Sequence, residues 1–126
     1  MTQSYTEEQF TAAMEQAVEM RGEDFTYPVE WRRQYWETEG TVVGACKYQH
    51  DGEPACLIGL ALYLLDPELL PDEGSWTGAR VQLESAGIGT VTTWKAASDA
   101  QVLQDANRTW GEALAGYKST LEWLHL

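Results

Sequence analysis

TVVGACKYQHDGEPACLIGLALYLL, residues 41–65, decides the fold, because it holds both cysteines, the clearest turn and the most apolar run of the chain. Its first half alternates: Val42, Gly44, Cys46, Tyr48 and His50 share one parity, and the β-branched start favours a strand or one arm of a hairpin. Asp51-Gly52 supplies the turn, since glycine adopts positive φ without a Cβ clash. Pro54 then fits a first helical position, and the uncharged residues 55–65 that follow read as a helix buried on most sides. The run is too short to span a bilayer. Gly59 inside it is unfavourable by about 1 kcal/mol relative to alanine, which makes sense where another backbone packs close by. The helix should stop near Asp66, because Pro67 pushes its predecessor out of the α region.

Around this stretch the chain reads as cover. Thr6 and Gln9 form a capping box for a helix to about Met20, with Phe10, Ala13, Met14, Ala17 and Val18 as its inner stripe. Residues 66–71 look like one tight helical turn between prolines. Ser75 can cap a helix over residues 76–86 that Gly87 ends. Residues 88–94 permit a short strand or an extended loop. Ser98 and Gln101 form a second capping box, Asn107 a left-handed stop, and Thr109 with Glu112 a third box opening the last helix. The expected fold is a mostly helical α+β domain over residues 1–126, with about five helices around a short strand or β-hairpin.

Composition narrows the function. With 126 residues, 44% of them hydrophobic, the chain can bury a core without staples. The start, MTQSYTEEQF, lacks signal-peptide character, so a cytoplasmic protein with reduced cysteines is expected. A net charge of −12 opposes nucleic acid phosphates and anionic membranes, so neither is an expected partner. Residues 1–39 carry nine acids against three arginines, whereas residues 90–126 carry four acids against three bases. Glu15, Glu19 and Glu23 read first as a solvated face and second as a contact for a basic partner.

Two residue sets offer chemistry. In the first, Trp31, Arg32, Arg33, Tyr35 and Trp36 combine aromatic planes with guanidinium groups, on a segment that fits either a helix or a strand. Core or edge packing is the first reading, a protein contact the second, and a nucleotide or other small anionic ligand the third. In the second, Cys46, His50 and Cys56 stand across the turn. They permit a disulfide, a three-ligand metal site needing Asp51 or His125 as a fourth, or a reactive Cys56 thiol in the first turn of a helix with His50 and Asp51 as base and orienter. Buried filler is the first reading for both cysteines. No phosphate-binding, dinucleotide, zinc-protease or nucleophile-elbow motif occurs, so no cofactor and no metal is expected.

Cys46, Tyr48, Asp51-Gly52, Pro54, Cys56-Leu57-Ile58-Gly59 and Ala61-Leu62, with Gln104-Asp105 and Trp110-Gly111-Glu112-Ala113 further on, resemble small proteins of unknown function from actinobacteria and their phages. The resemblance spans roughly positions 42–114 and brings no activity with it. What it implies is an origin, and hence a host protein as partner and host cytoplasm as location. The expected function is a small non-enzymatic binding protein, a phage accessory protein acting on a host factor by protein contact or by self-association, an acidic DNA mimic being one special case. The alternatives are a small-molecule or nucleotide-sequestering protein, and a thiol-dependent enzyme centred on Cys56.

Overall fold

The computed structural model describes residues 5–28, 33–36, 42–45, 47–72 and 78–125. The architecture is mostly helical α+β. Helix α1 spans Glu7–Arg21 and opens with the Thr6–Gln9 capping box, in which Gln9 N–H donates to Thr6 Oγ1 at 3.1 Å and Thr6 N–H to Gln9 Oε1 at 2.8 Å. Phe10, Ala13, Met14, Ala17 and Val18 form its buried stripe, as the spacing predicts.

Two antiparallel strand pairs follow. Strand β1, Arg33–Trp36, pairs with β2, Val42–Ala45, in the register Arg33↔Ala45 and Trp36↔Val42. Strand β3, Gln49–His50, pairs with β4, Glu53–Pro54, around Asp51 and Gly52. Both turn residues have positive φ, 52° and 83°, the conformation that lets a two-residue loop match the twist of its strands. The alternation across residues 42–50 is therefore split between two short strands. Tyr48 lies at a bend between them, buried, with its hydroxyl accepting from Gln101 Nε2 at 3.0 Å and its carbonyl from Ala55 N–H at 2.9 Å.

Helix α2, Leu57–Leu65, starts three residues later than Pro54 suggests. Pro54 belongs to β4, where a missing N–H is tolerated at a sheet edge. Residues 57–62 of α2 are all buried, and the helix ends at Asp66, whose N–H donates to Leu62 O at 3.0 Å before the 3₁₀ turn Pro67–Leu69. A Cβ built on Gly59 would collide with the Tyr48 carbonyl oxygen and lie 3.1 Å from Tyr48 C and Cα. That obstacle is backbone, so it cannot swing aside. Gly59→Ala should therefore lose about 2 kcal/mol in urea unfolding despite the roughly 1 kcal/mol gain in helix propensity. An unchanged or raised midpoint would show that no close approach exists.

Helix α3, Ala79–Ala86, ends on Gly87 in the left-handed region, but it starts three residues later than expected, because Gly78 is its extended N-cap; Ser75 and Trp76 themselves lie outside the described residues. Ile88 bridges to Tyr5 instead of forming a strand, with Gly89 N–H donating to Tyr5 O at 2.9 Å. Helix α4 then runs Val91–Asp105. Its start corrects the Ser98 cap: Ser98 is mid-helix, and the true cap is Thr90, whose N–H donates to Thr93 Oγ1 at 3.1 Å. Asn107 adopts φ 67°, as a left-handed stop requires, and helix α5, Trp110–Leu124, opens with the Thr109–Glu112 capping box.

Helix α1 packs on α2, and α4 packs on both α3 and α5. The described buried apolar residues join in one cluster that runs from Phe10 and Met14 through α2 to Trp110 and Tyr117. Phe10 meets Tyr117 edge to face with centroids 5.8 Å apart. The start of α5 is also tied down, because Trp110 N–H donates to Phe25 O at 2.8 Å and Gly111 N–H to Glu23 O at 2.9 Å.

Candidate functional site

Of the aromatic–arginine set, Arg33, Tyr35 and Trp36 lie in β1, while Trp31 and Arg32 fall outside the described residues. The strand settles the helix-or-strand question for residues 33–36. The backbone register sets Arg33 opposite Ala45, Gln34 opposite Gly44, Tyr35 opposite Val43 and Trp36 opposite Val42. Among the described residues, strands β1 and β2 have no more extensive neighbour than each other. A two-stranded sheet leaves one backbone edge of each strand unpaired within it.

The cysteine set divides differently. Cys46 lies outside the described residues. Cys56 is the N-cap of α2, one position before its first turn, and its Sγ accepts the Gly59 N–H at 3.2 Å. It is buried among core residues, and that burial pushes its thiol up to about 12, with the Gly59 N–H pulling the other way. A reactive cysteine needs a lowered pKa and access, and this site supplies neither. The geometry fits an apolar filler that also caps a helix. His50 sits in β3 with Nε2 3.4 Å from Asp51 Oδ2. Among the described residues no group of three or more His, Cys, Asp or Glu is placed to hold a metal ion.

A third polar set escaped the sequence reading. Gln101 and Gln104 stand one turn apart on α4, and each presents its carboxamide oxygen to the start of another helix. Gln104 Oε1 accepts from Leu57 N–H at 2.7 Å, and Gln101 Oε1 from Ala79 N–H at 2.8 Å. Leu57 and Ala79 are the first residues of α2 and α3, whose N–H groups have no partner within their own helices. The signal was present as a Gln-x-x-Gln spacing that puts both side chains on one helix face, but the sequence does not say which helices they would meet.

Arg21 ties down the segment that leads into the same end of α2. Its guanidinium donates to Ala55 O at 2.6 Å and to Pro54 O, and lies over the rings of Phe25 and Trp110 at 5.4 and 5.0 Å from their centroids. Partial burial lowers its pKa from the ordinary arginine value. Glu7 accepts from the Thr93 hydroxyl at 2.8 Å and lies 3.1 Å from His125 Nε2, tying the starts of α1 and α4 to the end of α5. Glu15, part of the expected acidic face, is paired with Lys118 at 2.6 Å. The titratable groups described here thus hold elements together.

No described helix is long and apolar enough to cross a membrane. Comparison with protein-family models, with curated proteins and with solved structures returns no match.

Proposed function

We propose that the chain is a small non-enzymatic binding protein acting by protein–protein contact, with Arg33, Tyr35 and Trp36 of β1 and the adjoining Trp31 and Arg32 as its contact segment. On the origin suggested by the resemblance, its partner is a host protein met in the host cytoplasm. The observation that carries the reading is that Arg33–Trp36 forms a strand whose main neighbour is β2. Among the described residues this sheet has two strands, and its sequence carries arginine and aromatic residues, the types that dominate interface energy. Two further observations support it. The thiol of Cys56 is buried and held protonated, which disfavours the thiol-enzyme alternative. The glutamines, Arg21 and Glu7 are each engaged in joining helices.

Affinity capture from a host lysate tests the proposal when the wild-type chain is run beside a Trp31→Ala, Arg33→Ala variant. The expected outcome is a stoichiometric partner retained by the wild type and lost by the variant. A partner retained equally by both would place the contact elsewhere.

A further inference from the structure

The N-terminal half of α4 and the C-terminal half of α5 flank a surface groove of about 390 Å³, lined by Lys95, Asp99, Ser119, Thr120, Trp123 and Leu124. Trp123 is 73% exposed, the most exposed of the large hydrophobic side chains among the described residues. That volume falls within the range of small-molecule sites, roughly 300–1,000 Å³.

Charge then decides its chemistry. Lys95 makes no ion pair among the described residues, although Asp99 stands one turn further along the same helix. Asp99 is turned to α5 instead, accepting from the Thr120 hydroxyl at 2.6 Å. The groove therefore presents a cation and an anion with no ion pair between them. A simple anion would be drawn to Lys95 but opposed by Asp99 and by the net charge of −12. A zwitterion has no net charge to be repelled, and it can answer both groups at once.

We propose that this groove binds a free α-amino acid with a flat apolar side chain, its carboxylate on Lys95, its ammonium on Asp99 and its side chain against the Trp123 indole. The inference is independent of the contact hairpin, which lies on other elements. Phenylalanine is a suitable probe, titrated into the full chain while the Trp123 indole N–H resonance is followed by NMR. N-acetylphenylalanine, which lacks the ammonium, and phenylalaninamide, which lacks the carboxylate, serve as comparators.

The expected result is a saturable shift with phenylalanine and roughly fivefold weaker binding of each derivative, the scale of one exposed ion pair. In Lys95→Gln the amide should bind as well as the acid while the acetyl derivative stays weaker, and in Asp99→Asn the pattern should reverse. Both side chains are exposed, so the variants should melt as the wild type does. The proposal is overturned if the Trp123 resonance does not saturate up to the solubility of phenylalanine, if either derivative binds as tightly, or if the preferences persist unchanged in the variants.

Discussion

Trp110→Ala should lose about 3–5 kcal/mol of stability, the usual range for removing a fully buried tryptophan, and so a large part of a domain's total of about 5–15 kcal/mol. Trp110 has no exposed surface, and Phe25 meets it edge to face with centroids 4.9 Å apart. Its ring also lies under the Arg21 guanidinium, so truncation leaves a half-buried cation beside a cavity. The indole Nε1 is buried without a hydrogen-bond partner among the described residues, which means the ring acts through its apolar body. Trp110→Phe should accordingly recover much of the loss. Urea unfolding of the two variants checks this, and a loss below about 1 kcal/mol in Trp110→Ala would remove Trp110 from the core.

Alkali should destabilise the protein through three buried groups. Burial raises the pKa of Cys56 to about 12, from an ordinary 9.0, and raises those of Tyr48 and Tyr117 above their ordinary 10.0. The folded state therefore keeps three protons that the unfolded chain has already released. Stability from these groups is complete below about pH 9 and is lost as pH rises, by about 1.4 kcal/mol per pH unit for each retained proton. Denaturation midpoints measured from pH 7 to pH 11 should be flat at first and fall steeply above pH 10. A flat profile throughout would mean that the thiol and both phenols ionise in the folded state.

Much of the helical frame was legible because its signals are local. Thr6 with Gln9 and Thr109 with Glu112 announce helix starts within four residues, Asp66 before Pro67 announces a stop, and Gly59 announces a close backbone approach. The start of α4 was hidden for a physical reason. Val91, Thr92 and Thr93 are β-branched and weak helix formers, and Thr93 replaces the usual Glu or Gln of a capping box. Pro54 misled in a similar way, since a proline suits an edge strand as well as a first helical turn. The glutamine caps were illegible because they act at a distance, 47 residues from Gln104 to Leu57 and 22 from Gln101 to Ala79.

The candidate sites were legible only as residue types. Composition marks Arg33, Tyr35 and Trp36 as interface material, but whether they cover a core or meet a partner depends on what β1 packs against, which no local pattern encodes. Cys56 illustrates the converse. At a helix start it could have been an activated thiol, and only its burial distinguishes it from one.

The most direct measurement of the central claim is the melting temperature of the Trp31→Ala, Arg33→Ala variant beside the wild type. If the segment is a contact element resting mainly on β2, the variant should melt within about 2–4 °C of the wild type, the shift expected for less than 1 kcal/mol. A variant that melts far earlier, with a loss of several kcal/mol, would show that these residues belong to the core and that the contact surface lies elsewhere.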